Sequence, residues 1–194
     1  MMATSPMESL SSGFIINIEL FFITLLLALP LGLVITFCSM SKFKPLKWLS
    51  RTFVWIIRGT PLMLQLFVVL YAPGLLFSMP MSSRFTAAII AFVINYAAYF
   101  AEIFRSGISN ISKGQKEAAF TLGMTKTQTF FRILLPQIIK IVLPALSNEV
   151  ISLIKTTSLA QIIGVTEIFA LAQKQASFQF SIIPLCVSGI IYLI

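Results

Sequence analysis

Five apolar runs, roughly 14–40, 61–77, 85–104, 133–154 and 180–194, are separated by short stretches that hold most of the charge. An α-helix rises 1.5 Å per residue, so about 20 apolar residues cross the ~30 Å hydrocarbon core of a bilayer. Only a helix or a closed barrel satisfies its backbone polar groups where water is absent, and runs this long predict helices. Composition agrees: 58% of the 194 residues are hydrophobic, 10% are charged, and the mean hydropathy is +0.97. A water-soluble domain carries about 25% charged residues. The expected fold class is therefore an all-α membrane protein, one domain of about five transmembrane helices. The last run reads either as a short span or as part of a longer one. Residues 1–12 contain a single charge, Glu8, and lack the basic start of a cleavable leader, so the first run is expected to remain as an anchor.

The basic residues set the orientation, since short loops rich in Lys and Arg stay on the cytoplasmic side. Lys42, Lys44, Lys47, Arg51 and Arg58 lie between the first two runs, and Arg105, Lys113, Lys116, Lys126 and Arg132 between the third and fourth. Only Arg84, Lys155 and Lys174 fall on the other side, with Lys140 inside the fourth run. The N-terminus is expected outside and the C-terminus in the cytoplasm. The net charge of +8 follows from this topology rather than from a nucleic-acid-binding surface. Cys38 and Cys186 lie in apolar runs without metal-type spacing and read as packing residues. Histidine and aspartate are absent and no glycine precedes a lysine, which leaves no P-loop, zinc site or catalytic triad. No cofactor is expected on the chain itself.

The polar interval 105–132 carries its own local grammar. Ser112 with Gln115, and Thr125 with Gln128, have capping-box spacing and predict two helix starts. Gly123 between them is placed to end the first helix in the left-handed conformation. The second helix should run into the membrane at Ile133, with Pro136 in its first turns, where a missing N–H costs least. Such a helical corner fits a soluble partner, or alternatively an amphipathic loop on lipid headgroups. Arg58-Gly59-Thr60-Pro61 breaks the hydrophobic pattern and reads as an elbow before the second span. It either lines a path and transmits motion or forms a plain turn.

These residues resemble a known family. Glu117-Ala118-Ala119, Gly123, Ile133 and Leu135-Pro136 are similar, position for position, to the signature of integral-membrane subunits of ABC importers. Arg58-Gly59-Thr60-Pro61-Leu62 with Gln65-Leu66-Phe67 resembles a segment of the polar amino acid branch, as do Ala98-Tyr99-Phe100-Ala101-Glu102 and Asn148-Glu149 with Ser152-Leu153-Ile154-Lys155. The resemblance implies a type I importer fold in a bacterial cytoplasmic membrane. It implies pairing with a second copy or a paralogue, and an extracytoplasmic amino-acid-binding protein that delivers cargo. Two cytoplasmic ATPase subunits would bind ATP and Mg. Glu117, Ala118, Ala119 and Gly123 would form the coupling helix docked on the ATPase, with Ile133, Leu135 and Pro136 fixing the return into the membrane. Where the family often has aspartate after Leu153-Ile154-Lys155, this chain has Thr156.

Carboxylates at membrane depth cost several kcal/mol, so they mark partners or wet cavities. Glu19 lies near the outer end of the first run, and Glu102 should pair with Arg105 three residues on. Glu149 lies deep in the fourth run beside Asn148, with Ser152 and Thr156 on the same helical face. Glu149 could receive an amino acid's ammonium group, with Asn148, Ser152 and Asn95 offering hydrogen bonds, and would favour cationic cargo. The polar stripe could equally join two subunits. Segment 157–179 is expected to form short helices over the outer mouth, contacting the binding protein or capping the bundle. The competing functional class is a self-contained carrier or channel; the missing internal repeat argues against it.

Overall fold

The computed structural model describes residues 6–193, with side chains from Leu10 onward, and among these the chain is helical and holds no strand. Three stretches are long and apolar enough to cross a bilayer: most of α1 (Pro6–Met40), α4 (Arg84–Ser109), and a nearly continuous helix over Lys126–Ile163. Helices α2 (Lys44–Gly59) and α3 (Leu62–Phe77) are apolar enough to count as a fourth span only if taken as one, and they bend by 109° at the elbow between them. Helix α9 (Ile183–Leu193) is apolar but 11 residues long. The fifth run thus maps onto a helix shorter than one perpendicular crossing.

The core is the seam between α1 and α4. Helix α4 buries Ala87, Ala88, Ala91, Ala97, Ala98 and Ala101 alongside Phe92, Tyr96 and Phe100. In lipid, where apolar surface alone gives no drive to associate, small residues let backbones approach and gain dispersion contacts. Gly32 of α1 illustrates the fit: a Cβ there would stand 2.9 Å from Phe100 Cβ and 3.1 Å from the Ala97 carbonyl oxygen. One turn on, the buried Thr36 hydroxyl reaches both the Gly32 carbonyl (2.8 Å) and the Ala101 carbonyl (2.9 Å), tying the two helices together. By contrast, the faces of α1 and α3 carrying Phe22, Leu26, Leu75 and Leu76 are exposed, as lipid-facing surfaces should be.

The interval between α4 and the fourth run folds as a corner. Helix α5 (Lys113–Thr121) ends on Gly123 at φ +74°, with Gly123 N–H bonding the Phe120 carbonyl (2.9 Å) and Met124 N–H the Ala119 carbonyl (3.1 Å). That paired arrangement is a Schellman motif, which glycine enters without steric cost. The short helix α6 (Lys126–Thr129) then starts on a complete capping box between Thr125 and Gln128. The expected box at Ser112 does not form. Ser112 is the N-cap of α5 without a side-chain bond: Gln115 N–H bonds the Ser112 carbonyl (3.2 Å), and the Gln115 side chain accepts from Gln137 of α7 (Leu135–Thr156) at 3.4 Å. Between α6 and α7 lies a π-helical turn, Phe130–Leu134, in which Leu135 N–H bonds the Phe130 carbonyl. Pro136 has no N–H to give and its ring would press on the carbonyl four residues back; a widened turn relieves both problems without breaking the helix.

A 3-10 helix, Thr157–Ile163, closes on Gly164, and α8 (Ile168–Gln179) packs back against α1. Short helices do occupy segment 157–179. Cys38 is half-buried and unpaired, but Cys186 is exposed on α9, so it is not the packing residue its apolar neighbours suggest.

Candidate functional site

A cavity of about 420 Å³ opens where the elbow meets α4 and α7. Its size lies in the range of small-molecule sites, roughly 300–1,000 Å³. Arg58, Gly59, Thr60 and Pro61 form one wall, α4 contributes Asn95, Tyr96 and Tyr99, and α7 contributes Glu149, Ser152 and Thr156. The elbow and the polar positions Asn95, Glu149 and Ser152, far apart in sequence, thus face one space. Asn148 does not join them: it is exposed, since neighbouring positions on a helix point about 100° apart.

Gln65 holds this wall in shape. Its amide nitrogen donates to the Ile57 carbonyl (2.8 Å) and to the Thr60 hydroxyl (2.8 Å), while its oxygen accepts from Asn95 Nδ2 (3.0 Å). One side chain therefore satisfies α2's terminal carbonyl and fixes the elbow to α4. Asn95 is only 5% exposed, so losing Gln65 would strand a buried amide. Arg58 lies 5.1 Å from the centre of the Tyr99 ring, a cation–π contact that keeps its charge at the rim. The Thr156 hydroxyl bonds backbone carbonyls of its own helix, at Ser152 and Leu153, which leaves Tyr96 to donate to Thr156. Glu149 is half-buried and has no ion-pair partner among the described residues. Tyr96 and Tyr99 were not singled out from sequence, because an aromatic in an apolar run reads first as core.

The corner α5–α6 forms a second surface. Glu117, Ala118 and Gly123 are exposed, and Phe120 and Leu122 stand 83% and 78% exposed beside them, whereas Ala119 is buried and packs inward. Ile133, Leu135 and Pro136 lie where the π turn passes into α7. Glu102 does pair with Arg105, whose Nε donates at 2.8 Å.

One buried polar cluster escaped the sequence reading. Glu167 is fully buried and caps α8, accepting from the N–H groups of Phe169 (2.8 Å) and Ala170 (2.7 Å). It also accepts from Tyr192 of α9 (3.0 Å) and Asn17 of α1 (3.3 Å). Asn17 in turn donates to Thr157 (2.8 Å) and accepts from Ile168 N–H (3.0 Å). The sequence signal was slight: Thr166 is a residue type favoured at helix starts, but the cap is Glu167, a type that is not.

Comparison with known proteins places this architecture. Residues 28–194 match the family described as binding-protein-dependent transport system inner membrane component. The L-cystine transport system permease protein TcyB of Bacillus subtilis is 43% identical over 85% of this chain and 70% of its own length. The arginine transport system permease protein ArtQ of the same organism is 35% identical over 93% of this chain and 82% of its own. The crystal structure of an amino acid ABC transporter with histidines superposes with a TM-score of 0.84 at 34% identity, over 96% of this chain and 89% of that one. The inward-facing MetNI methionine ABC transporter shares the fold, with a TM-score of 0.68 at 16% identity. The chain belongs to the binding-protein-dependent transport system inner membrane components and is an ABC importer permease subunit of the amino acid group, with ATP hydrolysis on a separate subunit.

Proposed function

We propose that this permease passes polar amino acids, with a preference for cationic ones, through the cavity between the elbow, α4 and α7. The observation that carries the reading is that Arg58, Asn95, Glu149 and Ser152 line one space of small-molecule size. A zwitterion needs an anion for its ammonium group and a cation for its carboxylate. Glu149 and Arg58 supply the two, and hydroxyls and amides supply the rest. A second positive charge on the cargo adds to the attraction of Glu149. Relatives named for cystine and for arginine are consistent with a polar amino acid cargo.

The drive enters at α5. Glu117 and Ala118, with Phe120 and Leu122, present the surface on which a cytoplasmic ATPase holding ATP and Mg docks. Ala119 keeps α5 against the chain, Gly123 sets the corner, and Ile133, Leu135 and Pro136 carry motion into α7. Gly59, Thr60, Pro61 and Gln65 gate the cavity as the elbow flexes. A second copy or a paralogue completes the path, and a binding protein delivers cargo from the side of the N-terminus, with the C-terminus cytoplasmic. Family membership takes the place of the self-contained carrier or channel alternative.

Equilibrium binding of arginine, cystine and glutamine to the assembled transporter tests the cargo. Glu149→Gln should weaken glutamine about tenfold or more, given ~1.5–3 kcal/mol for a charge-assisted bond, and arginine by more than that. Equal loss for both would remove the cationic preference, and unchanged binding of both would return Glu149 to a structural role.

A further inference from the structure

A second cavity, of about 490 Å³, lies on the other side of Arg58 from the first, between the end of α1, helix α2 and the end of α4. Its wall includes Ser39, Arg51, Trp55, Arg58, Glu102 and Arg105. Three guanidinium groups therefore face one carboxylate, and that carboxylate is already taken by Arg105 through Nε and Nη2. Arg51 and Arg58 are left without a carboxylate partner among the described residues. The cavity carries an uncompensated positive charge of about two.

Helix α2 shows where in the membrane this charge sits. Lys44, Lys47, Arg51 and Arg58 fall at spacings of three, four and seven residues, which places them in one stripe along the helix. Trp48 and Trp55 border the stripe along one side and are 70% and 75% exposed, and Leu49 and Ile56 are exposed farther round. A helix with a basic stripe, flanking tryptophans and an exposed apolar face lies at the headgroup level. The 109° bend to α3 is consistent with that: if α3 crosses the bilayer, α2 runs close to its plane.

We propose that this cavity binds the phosphate of an anionic phospholipid, held between Arg51 and Arg58 with the acyl chains against Trp55. The recognised chemistry is a phosphate oxyanion, which guanidinium forks match better than an ammonium does. The source is a lipid rather than free phosphate because the opening is bordered by exposed tryptophan and aliphatic side chains at the interface, where basic clusters collect anionic headgroups. The site would fix α2, and through Arg58 the elbow, to the surrounding leaflet. It shares Arg58 with the cargo cavity, but Arg51 lines this cavity and not the other, so variants of Arg51 separate the two readings.

The chain's two tryptophans, Trp48 and Trp55, are both on α2, so Trp48→Phe leaves one emitter on the cavity wall. The full chain with this change is reconstituted in phosphatidylcholine vesicles containing graded brominated phosphatidylglycerol, or brominated phosphatidylcholine as control. Phosphatidylglycerol should reach half-maximal quenching at a mole fraction at least about fivefold lower, the effect of one basic residue near an anionic surface. Arg51→Gln should remove about fivefold of that preference, and Arg51→Lys should retain most of it. Equal quenching by the two lipids, or a preference unchanged by Arg51→Gln, overturns the site. Loss of the preference on adding millimolar inorganic phosphate, with vesicle composition held constant, overturns the lipid source in favour of a soluble phosphate. Should Arg51→Gln fail to insert, Ser39→Phe fills the cavity from α1 without removing a charge and must also abolish the preference.

Discussion

Glu167 accepts four hydrogen bonds in a place with no exposed surface, and it joins α1, α8 and α9 at one point. Donors left unpaired in such a site cost ~1–3 kcal/mol each, and bonds to a charged acceptor are the stronger kind. Glu167→Ala should lower stability by about 3 kcal/mol, and Tyr192→Phe by about 1 kcal/mol. Thermal unfolding of the full chain in detergent reads both, and a midpoint unchanged by Glu167→Ala would mean that the cluster holds nothing together. Asn17 and Glu167 are 150 positions apart, which is why their meeting was invisible in the sequence. Each looked like an ordinary polar residue near an interface. Glu149 and Asn95 could be found because an acid or amide in an apolar run has few comfortable alternatives. Their tyrosine neighbours could not, since Tyr96 and Tyr99 satisfy the same pattern as any core aromatic.

At the level of the element, the corner between α5 and α6 was the most legible part of the chain. Its signals are local: Gly123 ends one helix and Thr125 with Gln128 starts the next, and chemistry three residues apart needs no tertiary information. At Ser112 no box forms: Gln115 N–H bonds the Ser112 carbonyl, and the Gln115 side chain turns to Gln137, 22 residues away in α7. Helix α2 was read only as a basic loop, since its stripe of Lys and Arg hid an equally regular apolar face. Thr125→Ala should cost about 1 kcal/mol by opening the cap, and Gly123→Val should cost more, because a β-branched residue resists φ +74°. Amide hydrogen exchange over 113–129 is the measure: protection should fall in both variants, and unaltered protection would show that the corner is held by other contacts.

Across the whole molecule, α1 and α4 form a spine, the elbow and α7 enclose a cavity against it, and α5 hangs from the far end of the bundle. Apolar length made the spans legible, but how α2 and α3 fold against each other required the 109° bend, which no single run encodes. The spine should be sensitive to bulk: Gly32→Leu pushes Phe100 and the Ala97 backbone apart and should lower the yield of folded chain severalfold in size-exclusion profiles. An unchanged profile would mean that α1 packs loosely on α4.

The central claim is that an ATPase works on this chain through α5. Uptake of labelled amino acid and ATP hydrolysis are measured together on the assembled transporter in vesicles, comparing the native chain with Glu117→Lys combined with Gly123→Pro. The account predicts normal insertion and assembly-independent hydrolysis, but uptake reduced at least about tenfold per ATP consumed, as expected when ~1.4 kcal/mol or more of docking energy is lost. Uptake per ATP equal to that of the native chain would contradict it.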